Sequence, residues 1–206
     1  EILIRELYHR TKNNMQVISS MVRLRSYAYK NKEFTDMLMK IELSIQSLAL
    51  AHQKLYESRD LSRLYLRDYI NSLIGVLKNS IVPKHQKIDI RVYGNNFPVL
   101  IDTALPLGFV ITELLTNAVK HAFPDTSAGT VDIYIEQKED KQTVIEVKDN
   151  GTGATESLDI LEEKGFGLKM IKDLVILQLH GNVTFSGQQG FGCRLLFKEE
   201  HYKPRV

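Results

Sequence analysis

The first 57 residues contain neither proline nor glycine, and this stretch constrains the fold more than any other feature of the sequence. Proline and glycine are the residues that most often interrupt a helix, so their absence favours long helices. Apolar residues recur there at steps that alternate between four and three, which is the heptad spacing of packed helices. A polar stretch at 30–32 divides the pattern into two segments. We therefore predict a hairpin of two long helices.

Each predicted helix carries one seam of such residues. The first seam comprises Leu3, Leu7, Arg10, Asn14, Val17, Met21, Leu24 and Ala28. The second seam comprises Phe34, Leu38, Ile41, Ile45, Leu48, His52 and Leu55. A single hairpin leaves apolar surface uncovered, and two paired hairpins would cover it as a four-helix bundle. We predict a homodimer through residues 1–57, and the alternative is a hairpin that folds onto the rest of its own chain.

The periodicity changes after the polar segment at 57–60. Helical spacing occurs at 64–81, 102–123 and 167–180. Patterns typical of strands occur at 88–93, 131–137, 143–148, 183–186 and 193–198, the last two as a terminal hairpin. Helices packed on a mixed or antiparallel sheet follow from this order. The predicted fold class is α+β, with a helical domain at 1–60 and a second domain at 61–206.

Composition excludes several classes of protein. The chain has 27 basic and 25 acidic residues and a net charge of +2, which argues against a nucleic-acid-binding surface. Its single cysteine excludes an internal disulfide framework and a cysteine-rich zinc site, and fits a reducing, cytoplasmic location. No apolar run approaches the roughly 20 residues needed to span a bilayer. Because the chain begins with Glu1, we expect it to be part of a longer protein, with any membrane attachment upstream.

A first group of polar residues lies in the E-L-L-T-N-A-V-K-H segment at 113–121. Glu113, Asn117, Lys120 and His121 fall at i, i+4, i+7 and i+8, so they share one face of a helix. Oxygen ligands beside a cationic side chain suit a hard cation together with phosphate oxygens. The alternative is the solvent-exposed face of a surface helix.

Two glycine-containing segments follow. In D-N-G-T-G at 149–153, Asp149 supplies a hydrogen-bond acceptor, and the two glycines allow a ligand to approach the backbone closely. The segment G-F-G-L at 165–168 opens a predicted helix, and the amides at a helix N-terminus bind phosphate. Taken singly, the first segment is equally typical of a hairpin turn and the second of a helix cap.

The order and spacing of these segments resemble a known family. N-x-x-K-H, then D-x-G-x-G, then G-x-G-L resemble the Bergerat-type ATP-binding fold of histidine kinases and gyrase. The G-F-G-C segment at 190–193 resembles that family's closing glycine motif, although the family usually has Thr or Ser at the position of Cys193. The resemblance covers about residues 64–200 and implies an α/β-sandwich domain that binds ATP and Mg²⁺.

The resemblance also implies individual roles. The cofactor-binding residues that it implies are Asn117, Lys120, His121, Asp149, Gly151, Gly153, Gly165, Gly167 and Leu168. Asn117 would ligate Mg²⁺, Lys120 would contact phosphates, and Asp149 would accept a hydrogen bond from the adenine amino group. The glycines at 151 and 153 would shape the adenine pocket, those at 165 and 167 would line the triphosphate, and residues 154–164 would form a short lid.

A candidate phosphoacceptor lies in the first predicted helix, in the segment H-R-T-K-N-N-M-Q at 9–16. An imidazole among polar neighbours offers a nucleophilic nitrogen near neutral pH, although a lone surface histidine more often has no such role. The segment resembles the dimerisation and phosphotransfer module of two-component sensor kinases with the acceptor box H-R-x-x-N. That resemblance implies that ATP phosphorylates His9 and that the phosphoryl group passes to an aspartate of a response-regulator receiver domain.

The residue after His9 leaves the general base open. The commoner subfamily has an acid there, whereas Arg10 cannot accept a proton. Our hypothesis is that Glu6, one turn earlier, orients His9 or takes its proton, and that Asn13 holds the ring. Arg10 would then stabilise the charge of the transferring phosphoryl group. Glu113 of the second domain is the rival base.

Two other functions are compatible with the sequence. One is an ATP-binding scaffold with weak or no kinase activity, in which the hairpin serves assembly or phosphatase control. The other is an ATPase or an anti-sigma-type regulator that uses the nucleotide site to bind a partner. This second function would not need His9, so dependence on His9 discriminates between the hypotheses.

Overall fold

The computed structural model describes residues 2–58, 62–123, 128–153, 166–187 and 190–199. Its helices are α1 (Ile2–Tyr27), α2 (Lys32–Glu57), α3 (Leu66–Ile81), α4 (Ile101–Asn117) and α5 (Phe166–Asp173). Its strands are β1 (Arg63–Tyr65), β2 (Lys87–Gly94), β3 (Pro98–Leu100), β4 (Ala128–Gln137), β5 (Gln142–Asp149), β6 (Asn182–Ser186) and β7 (Gly192–Lys198). Among the described helices none combines the length and hydropathy needed to cross a membrane.

The predicted hairpin of two long helices is confirmed. Asn31 ends the connection by capping α2, because its Oδ1 accepts a hydrogen bond from the Phe34 amide at 3.1 Å. The Tyr29 ring packs edge-on against the Phe34 ring, with 4.6 Å between the centroids. Arg23 of α1 donates to Glu42 of α2, whose carboxylate is largely buried. This ion pair links the two helices near the connection.

The faces that the helices bury differ from the predicted seams. On α1 the seam residues Val17, Met21 and Leu24 are exposed, at 52%, 60% and 69%. The less exposed positions of α1 include Met15, Ser19, Val22 and Ser26, and the buried positions of α2 are Glu42, Leu43, Ser47 and Ala51. Apolar residues occur on two sides of each helix, so spacing alone did not identify the side that packs.

The second helix packs against α3 and α4 as well as against α1. At this joint the Ser47 hydroxyl lies 2.9 Å from the hydroxyl of Tyr69, which is fully buried. Gly108 of α4 makes the approach possible, because a Cβ there would overlap both hydroxyls. Burial raises the pKa of Tyr69 to about 12. One face of α2 therefore packs on the rest of its own chain, and the homodimer through residues 1–57 stays a prediction.

The main sheet has the order β2-β4-β5-β7-β6. Strands β2 and β4 are parallel, and every other pair in this sheet is antiparallel, so the sheet is mixed. Alternate residues of β4, at 131, 133 and 135, are buried in the core. The helices pack on this inner face, which confirms the α+β fold of the second domain.

A small sheet replaces the start of one predicted helix. Residues 64 and 65 belong to β1, which pairs antiparallel with β3, and α3 begins only at Leu66. Tertiary contacts overrode helical spacing here, since Leu64 is buried opposite Val99 and the Leu66 amide donates to the Phe97 carbonyl at 3.0 Å. A second difference is that α4 and α5 continue as single π-helical turns, Ala118–Ala122 and Leu174–Gln178.

The N-terminus of α4 is held by a residue from the far end of the chain. Glu199 accepts hydrogen bonds from the Leu100 amide at 2.7 Å and from the Thr103 hydroxyl at 3.0 Å, and it pairs with Arg63 at 2.9 Å. A carboxylate at a helix N-terminus is favoured by the helix dipole. Glu199, which directly follows β7, therefore ties the start of α4 to the main sheet.

Candidate nucleotide and phosphoacceptor sites

The end of α4 carries the first predicted group of site residues. Glu113 is 5% exposed and Asn117 is half-buried, whereas Lys120 and His121 lie on the following π-helical turn and are exposed. Partial desolvation lowers the pKa of His121, the ammonium groups of Lys120 and Lys40 lower it further, and the Glu113 carboxylate partly offsets these effects. The group is therefore not a uniformly solvent-exposed face.

Asp149 lies at the end of β5 and is 4% exposed. Its Oδ1 accepts hydrogen bonds from the Gly151 amide at 2.9 Å and the Phe191 amide at 3.1 Å. Burial raises the pKa of Asp149, and these two hydrogen bonds partly offset the rise. Both bonds go to Oδ1, so neither engages Oδ2.

Backbone contacts fasten the D-x-G-x-G loop to the end of α4. The Thr152 amide donates to the Ala122 carbonyl at 3.1 Å, and a Cβ at Gly151 would overlap that same carbonyl. Gly190 of the closing motif has a φ of +79° and lies against the Asp149 carbonyl, where a Cβ would not fit. Glycine is thus required at two points where separated segments meet.

The third glycine segment, at 165–168, also contacts the end of α4. A Cβ at Gly167, near the start of α5, would overlap the carboxylate of Glu113. Leu168 is buried in the core beneath this point. Gly165 and the predicted lid at 154–164 lie outside the described residues. Among those described, segments that are far apart in sequence converge around the end of α4.

Helix α2 contributes two residues that the sequence analysis did not identify. Lys40 Nζ lies 2.5 Å from Glu113 Oε1, and Asp36 Oδ2 lies 2.5 Å from Lys120 Nζ. An adjoining cleft of about 800 Å³ between α2, α4 and α5 is lined mainly by apolar side chains, among them Phe34 and Phe109. The hairpin therefore contacts the predicted phosphate-binding residues directly.

The candidate phosphoacceptor lies elsewhere on the hairpin. His9 is part of α1, and its side chain lies outside the described residues. Glu6 Oε1 and Arg10 Nε pair at 2.8 Å and are both exposed, as is Asn13. This pair joins the candidate base to the candidate phosphoryl-stabilising residue.

The structure does not bring His9 and Glu113 together. Glu113 pairs with Lys40, which lies close in α2 to Glu42 and hence to the level of Arg23 in α1. His9 precedes Arg23 by 14 residues (23 − 9), which at 1.5 Å per residue is about 21 Å along α1. Phosphorylation of His9 therefore needs either a movement of the hairpin or the nucleotide site of another chain.

Comparisons with known proteins agree with this arrangement. Residues 6–81 match a family model described as histidine kinase. Residues 102–200 match a model described as histidine kinase-, DNA gyrase B-, and HSP90-like ATPase. The chain belongs to the histidine kinases. The first model covers the hairpin and α3, and the second covers the chain from α4 to β7.

Individual relatives support this assignment. The chain is 31% identical over 181 residues to sensor histidine kinase PdtaS of Mycobacterium tuberculosis, and this match covers 87% of the chain and 36% of PdtaS. It is 27% identical over 193 residues to blue-light-activated histidine kinase 2 of Erythrobacter litoralis, covering 88% of the chain and 53% of that protein. The kinase core thus spans about a third to a half of these relatives.

A solved structure has the same fold. The histidine kinase domain of a blue-light-activated histidine kinase from Erythrobacter litoralis superposes with a TM-score of 0.69. The alignment covers 95% of this kinase core and 92% of that domain at 24% identity. The match includes both the hairpin and the sheet domain, so the fold is that of a histidine kinase domain over nearly the whole chain.

Proposed function

We propose that the chain uses ATP to phosphorylate His9 and transfers the phosphoryl group to an aspartate of a response-regulator receiver domain. The observation that carries the proposal is the convergence of the nucleotide-site segments around the end of α4, on a chain whose first helix bears His9 in an H-R-x-x-N segment. An anti-sigma-type regulator would need no such hairpin. The match of residues 6–81 to a histidine kinase model therefore favours the kinase.

The residues around α4 fit a nucleotide with Mg²⁺. The close glycine contacts bring the separate segments together around the end of α4. Because both amide bonds of Asp149 go to Oδ1, Oδ2 would accept a hydrogen bond from the adenine amino group. Lys120 would contact phosphates, and Asn117 would supply an oxygen ligand to Mg²⁺. The described residues hold no cluster of three or more metal-binding side chains, which is compatible with Mg²⁺ because phosphates and water supply most of its ligands.

In the proposed reaction a ring nitrogen of His9 forms a bond to the γ-phosphorus as the bond from that phosphorus to the bridging oxygen of ADP breaks. The other ring nitrogen then loses its proton to a carboxylate or to water. Bound Mg²⁺ would supply charge neutralisation to the triphosphate. Catalysis in such a transfer consists mainly of positioning and electrostatic stabilisation.

The pairing of Glu6 with Arg10 supports distinct roles for these residues. We propose that Arg10 orients the Glu6 carboxylate beside His9, so that Glu6 accepts the proton and Arg10 faces the phosphoryl group. Asn13, one turn further on, would hold the ring. Glu113 is the weaker candidate base, because its carboxylate is buried and paired with Lys40.

We further propose that the kinase acts in the cytoplasm as a homodimer through residues 1–57, with the domain boundary near residue 60. The exposed apolar residues on α1, which include Val17, Met21 and Leu24, support this assembly. They form the predicted seam that α2 does not cover. A four-helix bundle of two hairpins would bury them.

The test uses ATP labelled at the γ-phosphate with the parent protein and with His9→Gln. Acid-labile, alkali-stable label on the parent and none on the variant would support phosphorylation of His9. His85→Gln is the matched control, because His85 is exposed and belongs to the sheet domain. Label that persists in His9→Gln would contradict His9 as the acceptor, and an unlabelled parent that still binds ATP would favour a scaffold.

A further inference from the structure

The two ion pairs between α2 and the end of α4 share one geometry. Asp36 and Lys40 are one turn apart on α2, so they project from the same face. Their partners Lys120 and Glu113 carry the opposite charges. Two adjacent residues of the hairpin thus complement two candidate residues of the nucleotide site, and both pairs involve groups that the proposed function uses.

The exposure of the two pairs differs. Lys40 is 35% exposed and Glu113 only 5%, whereas Lys120 and Asp36 are 44% and 35% exposed. A half-exposed pair contributes little and exchanges readily with solvent. Removal of Lys40 from the buried Glu113 would leave a carboxylate without its cation, which is more costly. Asp36 is therefore the more easily displaced of the two hairpin residues.

Phosphate groups and Asp36 would use the same donor. The proposed function has Lys120 contact the phosphates of ATP, and in this structure Lys120 donates to the Asp36 carboxylate. Both are anionic oxygen groups, so a bound triphosphate and the Asp36 contact compete for one ammonium. The docked hairpin also keeps His9 about 20 Å along its axis from this point.

We propose that Asp36 and Lys40 are positioning residues that hold the hairpin against the end of α4, and that the phosphates of ATP displace Asp36 from Lys120. Nucleotide binding then weakens the contact between α2 and α4. By linkage, a weaker contact strengthens nucleotide binding to the same extent. This inference rests on the proposed function in that it assumes an ATP site at the end of α4.

The first measurement is the affinity for a non-hydrolysable ATP analogue, determined by calorimetry on the whole chain at low salt. We expect Asp36→Asn to bind it about threefold more tightly than the parent, the effect expected from one half-exposed ion pair. Asp68→Asn in the first turn of α3 removes the same charge from an exposed site and serves as the control. Equal affinity of Asp36→Asn and Asp68→Asn would overturn the proposed competition.

The second measurement is hydrogen exchange of the α2 amides, with and without the analogue. In the parent the analogue should speed exchange at 36–48, because undocking removes tertiary support from α2. In the Asp36→Asn/Lys40→Met double variant exchange should already be fast, and the analogue should add little. Lys32→Met, which removes an exposed charge from the first turn of α2, should behave like the parent.

The outcomes separate this inference from the function on which it rests. Failure of the parent to bind the analogue would contradict the nucleotide site itself. Binding without any change in α2 exchange would leave the nucleotide site in place and refute the role of Asp36 and Lys40. Neither measurement depends on phosphorylation of His9.

Discussion

The candidate nucleotide site is held on two sides by different kinds of contact. On the side where we propose that adenine binds, called the adenine side below, backbone amides tie the loop after β5 to Ala122 and Phe191, and glycines allow main chains to touch. On the side proposed for the phosphates, called the phosphate side, long charged side chains of α2 reach Glu113 and Lys120. The backbone contacts form when the domain folds. The side-chain ion pairs can break and re-form while the domain stays folded. The adenine side is therefore preformed, whereas the phosphate side is adjustable.

The largest expected effect comes from disturbing the adenine side. Gly151→Ala places a Cβ on the Ala122 carbonyl, and because main chain cannot move aside easily, we expect a loss of about 1–3 kcal/mol in the free energy of unfolding. Affinity for ATP should fall by more than about tenfold, since the two segments would separate. Urea unfolding and calorimetry measure the two quantities.

Gly75→Ala is the control for this change. Gly75 lies in the interior of α3, and a Cβ there meets no atom within 4 Å. Alanine is the better helix former by about 0.5–1 kcal/mol, so this variant should be more stable than the parent. If both glycine variants shifted stability in the same direction, the close contact at Gly151 would not be the cause.

Asp149→Asn should separate stability from binding. Burial raises the pKa of Asp149 above 3.8, so ionisation of this carboxyl lowers the stability of the folded state. The loss of stability begins near pH 3.8, grows as the pH rises, and is complete above the pKa of the folded state. The amide retains an acceptor for the Gly151 and Phe191 amides. We expect the variant to be more stable than the parent at pH 7 and no more stable at pH 3.

The same substitution should weaken ATP binding by about tenfold or more, because it replaces the proposed adenine acceptor with a donor. Asp68→Asn, at an exposed site in the first turn of α3, should leave ATP binding unchanged and should lower stability slightly, by less than about 1 kcal/mol. The sign of the stability change is decisive, since a merely structural role for the Asp149 charge would make the asparagine variant less stable at pH 7.

The smallest change in stability is expected where α2 of the hairpin packs on α3. Ser47→Ala removes the buried hydrogen bond to Tyr69, at a cost of about 1 kcal/mol in the free energy of unfolding. Ser44→Ala is the matched control on the same helix, because the Ser44 hydroxyl bonds only one turn back, to the Lys40 carbonyl at 2.9 Å. Equal losses from the two variants would show that the joint with α3 adds nothing to docking.

Local features of the sequence predicted the loop after β5 well, whereas its role in binding adenine stays a prediction. Asp149 and Gly151 belong to one short segment at the end of a strand, where glycine spacing is typical of a tight turn. The helices and strands of the second domain were also predictable, because their periodicities of 3.6 and 2 persist over several residues. The described residues at 149–153 and 87–94 lie where these patterns placed a loop and a strand.

Features that depend on distant partners were not predictable in this way. Lys40 and Glu113 are 73 residues apart in the sequence, and Asp36 and Lys120 are 84 residues apart. No local sequence pattern therefore predicts either ion pair. The strand β1 is three residues long and has no periodicity of its own, since it exists only through its pairing with β3. Likewise, the buried side of α2 depends on a tertiary contact, because Ser47 packs between Tyr69 and Gly108.

The strand order has a consequence for how the chain acquires its structure during synthesis. Strand β7, which follows the other described strands along the chain, lies between β5 and β6, so it is an interior strand of the sheet. Glu199, which follows it, also completes the start of α4. A ribosome must therefore release residue 199 before the sheet can close, and until then β5 presents an unpaired edge that invites association with other chains. Translation that stops just short of β7 should yield an aggregating product in place of a partly active one.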